Sequence, residues 1–290
     1  MTAVPATPWP PPTGTPVGST GWYLASDGAW YRSDVPPAPG WTLAADGTWG
    51  FDPDEAWRTS CWGLGDAWWG LAVYLVASTI LIVVLATITD GSSELGPYSI
   101  GVLVLGNALA FVGVPWWASR RKGQGGLGRD FGLRWRPIDL AIGAGFGFGG
   151  LILAGLTGTL VDAAFGNDEP TSNIPVDDLV GLGQIITFFV AVGVVTPIIE
   201  EVFFRGLIHR SFLKRSMSRV WSGIWTTALF VVPHLTAADS PSRLLSLAAS
   251  IAVLGGAFQM ASSVTSNRLG APIVAHFVVN GTAAAVLAFG

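Results

Sequence analysis

Cysteine and charge are what this 290-residue chain has least of. Its one cysteine, Cys61, excludes an intramolecular disulfide and a Cys-rich zinc site, and leaves the redox compartment open. Only 12% of the residues are charged, against about a quarter in an ordinary soluble chain, while 50% are hydrophobic, so most of the chain is a poor match for water. The net charge is only -4 and the 15 Lys and Arg sit in a few loops. No broad basic face can form, which excludes nucleic acid as a partner. The start, Met1-Thr2-Ala3-Val4-Pro5, has no basic stretch leading into a short apolar core, so no cleavable signal peptide is expected there.

What is present falls into three parts. Residues 1–20, rich in Pro, Gly and Thr, are expected to be a disordered tail. Residues 21–57 hold a repeat: Gly21-Trp22-Tyr23-Leu24-Ala25-Ser26-Asp27-Gly28-Ala29-Trp30 returns nineteen residues later as Gly40-Trp41-Thr42-Leu43-Ala44-Ala45-Asp46-Gly47-Thr48-Trp49. Asp-Gly suits a tight turn and the aromatics can pair across two strands, so each unit reads as a small β-hairpin. It could serve as a binding module or as a Trp-rich spacer. Residues 66–290 form a membrane domain.

Seven apolar stretches, near 67–89, 98–119, 138–165, 179–207, 220–238, 244–266 and 271–289, approach the roughly 20 residues that a helix needs to cross a bilayer. The fold class expected is therefore an all-α polytopic transmembrane bundle, with the lipid bilayer as its first partner. Trp68, Trp69, Trp116 and Trp117 stand near stretch ends, where indoles anchor at the headgroup level. Arg120, Arg121, Lys122, Arg129, Arg134 and Arg136 follow the second stretch, and Arg210, Lys214, Arg215 and Arg219 follow the fourth. The opposite loops hold Asp90, Glu94, Asp168, Glu169, Asp177, Asp178 and Asp239 against Arg243. The positive-inside bias places the N-terminus and its repeats in the cytoplasm and the C-terminus outside. Gly143, Gly145, Gly147, Gly149 and Gly150 lie within an apolar stretch with no preceding strand, so they read as close helix packing, Gly143 with Gly147 and Gly145 with Gly149, rather than as a phosphate loop.

Ionisable groups at membrane depth cost on the order of 3 kcal/mol each and usually serve a function. Glu200 and Glu201 are adjacent, and Arg205 lies four residues after Glu201, the spacing of an ion pair on one helix face. Phe230 and His234 share a face one turn apart, and so do His276 and Asn280. Glu200 and His234 are equidistant from Met217 in the basic turn, so an antiparallel hairpin levels them. That geometry predicts a helical extension over 207–219 projecting beyond the bilayer and an active-site mouth on the cytoplasmic side. A carboxylate beside an imidazole in an apolar cavity can activate water, and two donors one turn apart can hold an oxyanion.

Glu-Glu-x-x-x-Arg, Phe-x-x-x-His and His-x-x-x-Asn, in that order on late apolar helices, resemble the type II CAAX prenyl endopeptidase and bacteriocin-processing family, also called CPBP or Abi proteins. The match runs over about 195–280. The resemblance implies an intramembrane endopeptidase of a bacterial inner membrane, acting on a membrane-associated or prenylated peptide or protein. It implies that Glu200 and His234 activate water, that His276 and Asn280 stabilise the oxyanion, and that Glu201, Arg205 and Phe230 support the site. The family has been described as metal-dependent, and Glu200, His234 and His276 could hold zinc; the absence of a His-Glu-x-x-His helix favours water activated without an obligatory metal. A non-catalytic scaffold or bacteriocin-immunity-like protein and a transporter with an intramembrane acidic site are the alternatives, the second weakened by the lack of an inverted repeat.

Overall fold

The structure, a computed structural model, describes residues 22–24, 30–32, 41–43, 49–51, 56–88, 97–165 and 181–289. The 1–20 tail, the Asp27-Gly28 and Asp46-Gly47 turns and the acidic stretches 90–94 and 168–178 lie outside these residues. In the repeat region β1 (Trp22–Leu24) pairs antiparallel with β2 (Trp30–Arg32), Trp22 opposite Arg32 and Leu24 opposite Trp30. β3 (Trp41–Leu43) pairs likewise with β4 (Trp49–Phe51), Trp41 opposite Phe51.

The rest is helical. A 3₁₀ turn (Ala56–Thr59) leads into α1 (Leu64–Ile88). α2 (Pro97–Ala108), a π turn (Leu109–Gly113) and α3 (Val114–Lys122) follow as one rod. The short α4 (Leu127–Asp130) precedes α5 (Ile138–Phe165). The next rod is composite: α6 (Leu182–Phe188), a π segment (Phe189–Val195), α7 (Thr196–Glu201), a second π segment (Val202–Ile208) and α8 (His209–Lys214). α9 (Arg219–Val231) runs into a 3₁₀ segment (Val232–Ala237), and α10 (Pro241–Val264) and α11 (Gly270–Phe289) complete the chain.

Among the described residues six helices are long and apolar enough to cross a membrane: Leu64–Ile88, Ser99–Lys122, Ile138–Phe165, Leu182–Lys214, Pro241–Val264 and Gly270–Phe289. The seventh expected span, 220–238, is the exception. Pro233 brings no backbone N–H, and the α-helix ends at Val231 after 13 residues. A 3₁₀ segment follows, and α9 itself lies antiparallel to α10, with Gly223 against Gln259 and Phe230 against Gly255.

The helix ends join in two sets. At one end the start of α1 meets the end of α3, where Lys122 Nζ bonds Asp66 Oδ1 at 2.6 Å. Arg268, before α11, bonds Asp139 in the first turn of α5 at 2.7 Å. Lys214, closing α8, donates to the carbonyls of Ser60 and Trp62. This is the basic end. The 207–213 stretch is not a free extension there: every residue in it is buried, and α8 is covered by Trp57 and Trp62, each 1% exposed. The sequence spacing gave the height of this hairpin correctly enough to align Glu200 with His234, yet periodicity carries no information about the 56–63 segment that folds over its tip.

The glycines of α5 divide by face. A Cβ on Gly143 would stand 2.5 Å from the Ala271 carbonyl oxygen, and one on Gly147 would stand 2.8 Å from that of Ala275, so α11 packs directly on α5 backbone. Gly145 and Gly149 have nothing within 4 Å of such an atom. The expected packing role holds for the first pair and fails for the second, which points away from neighbours. Trp68, Trp69, Trp116 and Trp117, 44% to 60% exposed, ring the basic end as interfacial indoles do.

Candidate active site

The site begins with a fault in a helix. In the Phe189–Val195 π segment a backbone N–H reaches five residues back, as Thr196 N does to the Ala191 carbonyl. The next residue is Pro197, which has no N–H to give, so the Val192 carbonyl is left without its backbone donor. Asn280 Nδ2 fills that vacancy at 2.9 Å, tying α11 to the turn that carries the glutamates. Thr196 Oγ1 adds a bond to the Ala191 carbonyl at 3.0 Å. The chain therefore presents Glu200 and Glu201 from a short α-helical piece held between two π segments, a feature found often at functional sites.

The two glutamates take different surroundings. Glu201 is wholly buried, and its Oε1 accepts from Arg205 Nη1 at 2.9 Å and lies 3.2 Å from His276 Nδ1. Arg205, also wholly buried, gives Nη2 to the Gly255 carbonyl at 2.8 Å, and its guanidinium lies over the rings of Phe230 at 4.5 Å and Phe258 at 5.5 Å. Phe258 in turn stacks on His276 with centroids 4.5 Å apart. Ionic hydrogen bonds and ring contacts thus fix the His276 imidazole on both its edge and its face.

Glu200 faces a cavity of about 210 Å³ lined also by His234, His276, Asn280, Thr196, Tyr74 and Asn107. Its Oε2 is buried with no hydrogen-bond partner among the described residues and lies 3.9 Å from His276 Nε2. His234 bonds the Phe230 carbonyl through Nδ1 at 2.8 Å, one turn back in the chain. With that nitrogen as the donor, its Nε2 is an acceptor. All four residues that the motifs offered as catalytic, and the three offered as supporting, therefore meet around one small cavity or directly behind it.

The mouth differs from the expectation. The cavity draws on Ile100 and Val104 in the first half of α2 and on Phe188 and Val192 in the first half of the composite rod, all remote from the basic end. Between the glutamates and the basic end lies an aromatic layer in which Phe111, Phe203 and Phe204 are 3% exposed or less, their rings 4.7 to 5.8 Å apart. His276 does lie close to the start of α11, but depth is not access. The short path to the basic loops is filled, and the cavity extends the other way.

The ligand set considered for zinc does not fit. Among the described residues no three His, Cys, Asp or Glu side chains gather as a metal site. Sequence reasoning missed the opposite wall, Tyr74 and Asn107. Their signal was present as polar side chains within otherwise apolar stretches, but each is one turn away from nothing resembling a motif.

No curated protein and no solved structure matches the chain. A family model does: residues 182–282 match Rce1-like, type II CAAX prenyl endopeptidase Rce1-like. That span contains Glu200, Glu201, Arg205, Phe230, His234, His276 and Asn280, and with the six apolar helices it supports a membrane protease of the CAAX type. Over residues 182–282, which supply one wall of the cavity, this chain resembles the type II CAAX prenyl endopeptidases of the CPBP family.

Proposed function

We propose that the protein is an intramembrane endopeptidase that hydrolyses a peptide bond of a membrane-associated or prenylated substrate with water activated by Glu200. The observation that carries this reading is the placement of the glutamate pair: Glu201 turns its Oε1 to Arg205 and His276 behind the cavity, whereas Glu200 itself lines the cavity together with His234 and His276. Burying a carboxylate in a bilayer-spanning bundle is expensive, which favours a chemical use for it.

In the mechanism, Glu200 takes a proton from water while His234 Nε2 accepts the other water hydrogen and aims the oxygen lone pair at the substrate carbonyl carbon. His276, oriented by Glu201, donates through Nε2 to the developing oxyanion. Asn280 has a second N–H beyond the one held by Val192 and adds a second donor. Collapse of the tetrahedral intermediate breaks the C–N bond. Glu200 returns its proton to the leaving nitrogen, giving a new carboxylate and a new amine.

Placement in the membrane follows the same reading. The Arg-rich end lies in the cytoplasm of a bacterial inner membrane, with the N-terminus and Trp repeats on that side. α9 with its 3₁₀ extension supplies a seventh crossing, since 13 residues at 1.5 Å and 6 at 2.0 Å give about 32 Å against roughly 30 Å of hydrocarbon. The substrate then enters from the membrane rather than through the cytoplasmic end. The test is purified protein in detergent with internally quenched peptides, farnesylated and unmodified. Wild type should cleave and Glu200→Gln should not; equal turnover by both leaves a binding scaffold as the better reading.

A further inference from the structure

α1 is the helix most exposed to lipid, and its polar residues are handled in two ways. Thr79 and Thr87 bond back to carbonyls of their own helix, Leu75 and Val83, as lipid-facing threonines do. Ser78 instead reaches across to α2 and donates to Asn107 Oδ1 at 2.8 Å. Tyr74, one turn before Ser78, stacks on Phe111, one turn after Asn107, with centroids 4.6 Å apart. One face of α1 is thereby matched to one face of α2, and Tyr74 and Asn107 both border the cavity opposite Glu200.

The hydrogen-bond inventory of Asn107 is half used. With Oδ1 accepting from the Ser78 hydroxyl, Nδ2 carries two N–H donors. Among the described residues nothing accepts from them. The Tyr74 hydroxyl, which also meets the Ser78 side chain, adds a group that can donate or accept.

We infer that Tyr74 and Asn107 form a main-chain binding wall that holds the carbonyl oxygens of an extended, unwound peptide segment across from Glu200. The inference rests on the protease reading and deepens it. A peptide bond inside a helix keeps its carbonyl in the helical ladder, so it must be unwound before water can attack. Each backbone group freed by unwinding in hydrocarbon costs several kcal/mol when left unpaired. Donors on the wall facing the catalytic carboxylate offset that cost at the carbonyls beside the scissile bond. Recognition through the main chain leaves side-chain selectivity to the apolar lining, and the class of substrate is a segment that can be drawn out of helical form.

The experiment compares membrane-peptide termini in cells expressing wild type, Glu200→Gln, Asn107→Leu, Tyr74→Phe and Ser78→Ala, with thermal unfolding of each purified variant alongside. Asn107→Leu keeps the volume and removes the donors. Ser78→Ala removes the bond between helices and the Ser78 contact to Tyr74, and keeps the Asn107 amide donors. The expected result is that termini lost in Glu200→Gln also fall at least tenfold in Asn107→Leu and several-fold in Tyr74→Phe, but less than threefold in Ser78→Ala. In a purified assay the Asn107 effect should lie mainly in KM. Glu200-dependent termini at wild-type level in Asn107→Leu, or equal losses in Asn107→Leu and Ser78→Ala that track unfolding, overturn the wall. If no terminus depends on Glu200, the protease reading falls and the wall with it.

Discussion

Two buried carboxylates at different heights in the bundle show how the same group can be spent in opposite ways. Asp130, wholly buried at the basic end, accepts from Ser60 Oγ at 2.7 Å, Trp62 Nε1 at 2.8 Å, Ser119 Oγ at 2.6 Å and the Gln124 backbone N–H at 2.8 Å. Arg210 bonds the carbonyl of the same residue at 2.9 Å. Four donors satisfy the charge and join the 56–63 segment, α3 and the loop after it into a cap. Glu200 has a bare oxygen facing a cavity. A carboxylate with both oxygens engaged by donors is a fastener, whereas one that opens on a cavity beside imidazoles is available for chemistry.

The largest expected effect breaks that contrast at the reactive member. Glu200→Gln should lower turnover at least a thousandfold while the unfolding temperature holds or rises, because a buried carboxylate with one oxygen lacking a hydrogen bond among the described residues is replaced by a neutral amide. Next is Asp130→Ala, which strands two hydroxyls, an indole N–H and a backbone N–H; a loss of about 3 kcal/mol or more is expected, read as early thermal unfolding in detergent. Glu201→Gln is intermediate between the two carboxylates, since it both orients His276 and pairs with Arg205. Turnover should drop on the order of a hundredfold together with a measurable stability loss, seen by assaying activity per folded molecule. The smallest contrast is between glycines of α5: Gly143→Val should destabilise by about 2 kcal/mol through overlap with the Ala271 carbonyl, and Gly145→Ala should lie within about 0.5 kcal/mol of wild type in the same melts.

Much of the cavity wall that carries the glutamates and histidines was legible in the sequence, because its residues obey helical spacing. Glu201 and Arg205, four apart, do pair, and His276 and Asn280 do lie on one face toward the cavity. Spacing within a helix is local information. Contacts between helices are not, and there the sequence reading was weaker. Ser60, Trp62 and Asp130 close the basic end through bonds spanning about 70 residues, and nothing in the composition of 56–63 announces it. Placing the mouth on the basic side therefore failed although the relative heights of the catalytic groups were sound. Asn280 shows both kinds of information in one residue. Its face was legible, while its bond to Val192 requires knowing that a π segment precedes Pro197 and leaves that carbonyl unserved.

The most direct measurement is turnover per folded molecule for Glu200→Gln and Asp130→Asn, prepared side by side with wild type and assayed on the same quenched peptides. The account predicts that Glu200→Gln is fully folded and inactive, and that Asp130→Asn is less stable yet cleaves within a few-fold of wild type for each molecule still folded. Cleavage by Glu200→Gln at a rate near that of wild type would contradict it.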